Sequence, residues 1–392
     1  MTRLVLTGLA LLAAATACGS SQNPPPDGSP DPMSRNGQRN PARYDTARLN
    51  RVIENARPDL PPRAGMLVVA NQQAASATVL DAATLATIAT VPVGVGPHEV
   101  AVSPNGRWAV VTNYGDRTAQ GNTLSVIDLS LPAPAVARTI DLGVYHRPHG
   151  VAFVGNGGKL LVTSETSQRL LLVDFLSGRV DTALATNGRG SHMVAVRRDG
   201  RRAWTANIAD SSVTEYDVDM RRTVRTYHAA PMDEGIAATA GGVEVWVGSN
   251  SDHTVTILET ATGSVAATLT DFGMPYRIGI AHTSNVAVIN DPMRNRVWLY
   301  DIGSRRRLAE LDLAKVSGVH VPPAAPAGSP EAAGAGPEGV TFDPIANFAY
   351  VTLNTTGQVA AVDLGARTIV AVGDVGKGPD GIAFSPMVNR KN

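Results

Sequence analysis

The amino-acid sequence predicts an all-β protein, a seven-bladed β-propeller with four strands in each blade. Three observations predict it. First, the motif Gly96-Pro97-His98-Glu99-Val100-Ala101-Val102 returns in altered form around His149, His192, Glu234, Tyr276, Glu338 and Asp380. Second, these polar positions lie 51, 43, 42, 42, 62 and 42 residues apart, a repeat period with two insertions. Third, each period holds four short runs of aliphatic and β-branched residues separated by turn residues, which is the pattern of a propeller blade.

In chain order, residues 1–17 are expected to be a lipoprotein signal peptide. Arg3 supplies the positive start, and residues 4–15 form an apolar stretch too short to span a bilayer as a helix. Ala15-Thr16-Ala17-Cys18-Gly19 reads as a lipobox, although Ala15 stands where leucine is usual. Its cysteine, the only one in the chain, excludes an internal disulfide and is the expected lipidation site. Residues 18–64 are expected to be a Pro-rich disordered tether, with a short helix over 44–56 where Leu49, Val52 and Ile53 have helical spacing. Residues 65–386 are the propeller, and 387–392 a C-terminal tail.

Within each blade, strand one follows the motif. Strand two is exemplified by Trp108-Ala109-Val110-Val111-Thr112-Asn113, and strand three by Leu124-Ser125-Val126-Ile127-Asp128-Leu129. Strand four is exemplified by residues 137–142. The first strand two, beginning at Met66, has no strand one before it, and the last strand one, after Asp380, has no strand two after it. The two ends are therefore expected to complete a single blade, with residues 380–385 beside 66–70, and so to remove the open edge. Trp108, Trp204 and Trp246 fall on strand two and are expected to pack between blades.

These repeats resemble the YVTN-repeat, YncE-like propeller family of bacterial extracytoplasmic proteins. The likeness covers roughly residues 65–386 and rests on the Pro-x-Gly start, the Val-Thr-Asn strand and the Val-Ile-Asp-Leu strand. It implies the propeller fold and, with the lipobox, an extracytoplasmic lipoprotein in the periplasm or at the cell surface. It does not specify an activity, because one fold hosts many functions.

Chemistry is expected where strand one begins, since that strand lines the central channel. The ligand-binding ring is His98, His149, His192, Glu234, Tyr276, Arg277, Glu338 and Asp380. Three histidines from consecutive blades followed by a carboxylate suit a divalent transition metal, zinc or copper first, held by His98, His149, His192 and Glu234. The alternative is that a wet channel mouth simply needs polar side chains. Two insertions, residues 113–122 and 315–336 (the latter carrying His320), fall on the same side and are expected as loops over the mouth. His146, His228 and His253 belong to that side as well, and His282 to the opposite face.

The totals bound the function. Lys plus Arg and Asp plus Glu each number 34, with no long basic run, which argues against nucleic acid. Gly334-Ala335-Gly336-Pro337-Glu338-Gly339 matches GxGxxG only by letter, because no strand precedes it and no helix follows. The expectation is a membrane-tethered binding module for a metal ion or small polar ligand. The alternatives are a lactonase-like hydrolase, with His149 or Glu234 as base and Arg277 facing the oxyanion, and a platform for a protein partner.

Overall fold

The computed structural model describes residues 63–321 and 334–389. The signal peptide, Cys18, the tether with its helix, much of the second insertion and the last residues of the tail lie outside the described residues. The described residues form seven four-stranded antiparallel sheets, the blades of a β-propeller. The innermost strands are, in order of blades two to seven, Pro97–Val102, Pro148–Val154, Ser191–Val196, Asp233–Ala238, Arg277–Ala281 and Pro337–Asp343.

The first blade is closed by both ends of the ring. Pro379–Ser385 is its innermost strand and pairs with Met66–Asn71, with Val68 opposite Ala383. The expected join of 380–385 to 66–70 is therefore present. It follows from the split repeat, since neither half could cover its own edge.

Strands two and three read as continuous apolar runs because each blade is covered on both faces. Seven hydrophobic clusters fill the seven junctions. Met66, Val68 and Val79 of blade one meet Val100, Val111 and Ile127 of blade two, and at the closing junction Leu67 and Leu80 meet Tyr350 and Val359 of blade seven. Trp204 and Trp246 are buried in two of these clusters, as expected of packing residues. The aspartate of the Val-Ile-Asp-Leu motif ends strand three and folds the following hairpin. Asp128 Oδ1 accepts the backbone N–H of Ser130 at 2.9 Å, and Asp174 Oδ1 that of Ser177 at 2.8 Å.

The first insertion departs from the expected loop. Strands two and three of the second blade extend through it, as Trp108–Gly115 and Gln120–Asp128, with Gly115 opposite Gln120. The loop shrinks to the tip around Asp116, whose Oδ1 accepts the backbone N–H groups of Thr118 and Ala119 at 2.7 and 3.0 Å.

Candidate functional site

The axial residues are held by a repeated irregularity. In six blades the inner strand carries two residues opposite one at the motif, as where Pro97 faces Asn113 and Val100 faces Val111, leaving His98 and Glu99 opposite Thr112. Such a bulge re-aims side chains. The sixth blade, whose motif is Met274-Pro275-Tyr276-Arg277, pairs regularly from Arg277 onward.

Strand-two threonines secure the bulges. Thr163 Oγ1 accepts the Gly150 N–H at 2.8 Å and donates to the His192 carbonyl of the next blade at 2.6 Å. Thr352 repeats the arrangement with Gly339 N–H at 2.7 Å and the Asp380 carbonyl at 2.8 Å. The residue after the ring position is glycine in four blades because the neighbouring inner strand is too close for a side chain. A Cβ on Gly339 would stand 2.1 Å from the Asp380 carbonyl oxygen. In blades two and six that position holds Glu99 and Arg277, and these two meet: Arg277 Nη2 and Nε donate to Glu99 Oε1 at 3.0 and 3.2 Å.

The three histidines form a stack. The ring centroids of His98 and His149 are 4.6 Å apart, and those of His149 and His192 are 3.7 Å apart. His98 Nδ1 pairs with Asp380 Oδ2, while its Nε2 lies 2.8 Å from Gln72 Nε2. His192 bridges two carboxylates, with Nδ1 3.0 Å from Glu165 Oε2 and Nε2 2.6 Å from Glu234 Oε1. His149, between them, is 1% exposed, and its Nδ1 has no hydrogen-bond partner.

The remaining ring residues gather around Arg277. Its Nη1 donates to Glu234 Oε1 at 2.6 Å, and Asp380 Oδ1 lies 3.7 Å from Nη2. Its guanidinium stands over the Tyr276 ring at 4.5 Å from the centroid. Glu338 Oε2 accepts from Asn354 Nδ2 at 2.9 Å. His149, His192, Glu234, Arg277 and Asp380 are buried, so this end of the channel is packed rather than the wet mouth anticipated.

Charge follows from burial and partners. Burial, then the charges of His192 and His98, hold His149 well below the usual imidazole range, so it is neutral. Burial also opposes charge on His192, but Glu234 and Glu165 outweigh it and raise that imidazole to about 9. Burial opposes charge on Glu234 too, yet His192 and Arg277 bring it down to about 2. Burial, then Asp380, pushes Glu338 well above the carboxylate range. Burial raises Glu99 against the pull of Arg277.

A second ring comes from the residue after strand two's core: Gln72, Tyr114, Glu165, Asn250 and Asn354 each bond to a neighbour in or around the first ring. Glu165 is the one that changes the chemistry, and it is absent from the sequence-based set. One ligand atom each of His149, Glu165 and His192 lies within 4.8 Å of the others, a group that could hold a metal ion. Tyr114, on the hairpin of the first insertion, covers this group. Its OH donates to Glu165 Oε1 at 3.1 Å, its ring meets those of His98 and His149 edge-on, and Arg147 lies over its outer face.

Of the four expected metal ligands, His149 and His192 belong to this group. His98 and Glu234 adjoin it, paired to Asp380 and to Arg277 and His192. Arg277, placed as an oxyanion partner in the hydrolase alternative, is directed instead at Glu99 and Glu234. His320 lies toward the rim, where its N–H donates to Gln358 Oε1 at 2.9 Å. His228 pairs opposite Ser212 on an outer strand, and His253 Nδ1 contacts the Gly273 carbonyl. His282 falls in the turn between the inner two strands of blade six, on the opposite face.

The fold and site thus define a seven-bladed β-propeller with an axial His/Glu cluster that could bind metal. Among solved structures of similar shape is the hydrazine synthase of Kuenenia stuttgartiensis, 14% identical with a TM-score of 0.62, the match covering 74% of this chain and 90% of that one. Another is a functionally unknown protein from Desulfotomaculum acetoxidans, 13% identical with a TM-score of 0.66, covering 82% and 99%. At these identities the likeness shows the fold alone. No family model and no curated protein matches the chain.

Proposed function

We propose that this protein is an extracytoplasmic, lipid-anchored β-propeller of the YVTN-repeat kind that binds a divalent transition metal ion at the histidine end of its axis. His149, Glu165 and His192 are the ligands, with His98 and Glu234 next to them. The observation that carries the reading is the mutual approach of the three ligand atoms to within 4.8 Å. Two imidazoles and one carboxylate suit zinc or copper. His149 is already neutral, and its Nδ1 lacks any other partner. His192 must first give up its proton, so uptake of the metal displaces the proton shared with Glu165 and Glu234.

The test is metal analysis of the purified protein, followed by zinc and copper titration of the parent, His149→Ala, Glu165→Gln and His192→Ala. The expected result is about one equivalent bound by the parent and a loss of about tenfold or more in each variant. A parent that binds neither metal at neutral pH rejects the site. The anchor rests on the lipobox ending at the single cysteine, Cys18. Cys18→Ser should move the protein from the membrane to the soluble fraction, and unchanged fractionation refutes the lipid.

A further inference from the structure

The turns on the face away from the histidine end are not alike around the ring. Each blade has one there between strands three and four, and the second and third residues after strand three form its tip. In blades five, six, seven and one the tips are small: Ala261-Thr262, Gly303-Ser304, Gly365-Ala366 and Ala83-Thr84. In blades two, three and four they carry Leu131, Leu176 and Met220, which are 42%, 86% and 68% exposed. Large aliphatic side chains left in water contribute little to the fold. The Leu176 tip is nevertheless held in place. Its carbonyl accepts from Arg138 Nη1 at 3.1 Å, and the same guanidinium stands 5.0 Å from the centroid of the adjoining Phe175 ring.

Positive charge gathers on the same arc. In the fourth blade Arg197, Arg198 and Arg201 lie in one turn of this face and Arg221 in the other, with Arg222 opening strand four. Asp199 pairs with Arg197 at 2.7 Å, and Asp219 with Arg201 at 3.5 Å. Among the described residues, Arg198, Arg221 and Arg222 have no carboxylate oxygen within 4.0 Å, and all three are exposed. Exposed, unpaired guanidiniums are available to phosphate oxygens.

The chain also enters the ring on this face. Residues 63–65 lead into Met66, and the Gly65 carbonyl accepts the N–H of Ala82, in the blade-one turn of this face, at 3.0 Å. The segment before residue 63 therefore joins the propeller on the side of the aliphatic tips and the unpaired arginines.

We propose that blades two to four dock this face on a bilayer with anionic headgroups. Arg198, Arg221 and Arg222 meet the lipid phosphates, while Leu131, Leu176 and Met220 enter the boundary of the acyl region. The tips stand singly on separate blades among polar residues, unlike the continuous apolar centre of a protein interface. The proposal rests on the lipid-anchored reading for the presence of a bilayer, and it turns the histidine end toward the solution.

The strand pairing that closes the ring lies within residues 66–385, so the test uses the chain from residue 19, which has no cysteine to acylate. It is sedimented with vesicles of phosphatidylcholine, alone or with about one third phosphatidylglycerol. Binding is expected to the anionic vesicles only, and it should fall as salt is raised. Arg198→Gln, Arg221→Gln and Arg222→Gln together should weaken it by about fiftyfold or more. Leu176→Ser with Met220→Ser should weaken it by about tenfold or more. Val144→Ser, at a residue 76% exposed on the histidine face, should leave it unchanged. All these residues are exposed, so each variant should keep the parent's melting temperature. No binding to the anionic vesicles, equal binding to both kinds, or full binding by the arginine variant overturns the proposal. Fractionation of Cys18→Ser in high salt tests the lipid separately, since salt screens the docking and spares an acyl anchor.

Discussion

The two halves of the axial ring solve the same problem in different ways. Blades two to four contribute His98, His149 and His192, whose rings pack on one another at tilts of 31° and 37°. Blades five to seven and one contribute Glu234, Tyr276, Glu338 and Asp380, which collect around the single guanidinium of Arg277. His149 can crowd against the charged His192 because burial, then the charges of its neighbours, keeps it neutral. Carboxylates buried together need a cation or a proton, and this half has one of each, Arg277 and the raised Glu338. The halves are stitched at both seams, His98 to Asp380 and His192 to Glu234. Only His149 touches neither a seam nor a carboxylate hydrogen bond, and that leaves its lone pair for a ligand.

The comparison can be broken most forcefully at Arg277. Arg277→Met should leave Glu99, Glu234 and Asp380 without their shared cation and cost about 3–5 kcal/mol in urea unfolding. A loss under about 1 kcal/mol would mean that the carboxylate half does not depend on it. The histidine half is sharpened by pH. The folded His192 value of about 9 lies above its ordinary 6.5, so its stabilisation is fully present below about 6.5 and is lost as pH rises through 9. The metal-free protein should therefore melt progressively lower across that interval. His192→Gln should lose this part of the slope, which calorimetry at graded pH would show. Metal affinity should climb over the same interval by about tenfold per unit, because the metal competes with one proton. Parallel rather than opposite trends would contradict the proton-for-metal exchange. The smallest effect is expected at His98. His98→Ala should reduce zinc affinity less than His149→Ala, since its Nδ1 already serves Asp380, and equal losses would place His98 among the ligands.

The fold was legible because the repeat is written in residues with backbone duties. The Pro-x-Gly start, the bulge-securing threonines and the turn-forming Asp128 and Asp174 recur in several blades because the same backbone bond is made at the same place in each of those blades. The axial positions were legible for the same reason, as a fixed offset from that frame. Glu165, Tyr114 and Gln72 were not, although they also share one repeat position, because their types differ from blade to blade and no backbone duty marks them. Glu99 was hidden by its counterparts: four blades have glycine there, so the position reads as a place where nothing projects. The packed channel could not be foreseen from types alone, since it depends on Arg277 reaching across from blade six to blade two.

Closure of the first blade also governs time. The pairing of Met66–Asn71 with Pro379–Ser385 joins segments roughly 300 residues apart in the chain, whereas the other strand pairings lie within one repeat. Bringing such distant segments together costs about 3–4 kcal/mol more entropy than closing a hairpin-length loop, and contacts of this range slow folding. The six uninterrupted blades can form as local meanders, but their stack stays an open arc with an apolar face bare at each end until Pro379–Ser385 docks. Closure is also what brings Asp380 to His98, so that seam of the axial ring exists only in the closed ring, whereas His149, Glu165 and His192 already lie on the adjoining third and fourth blades.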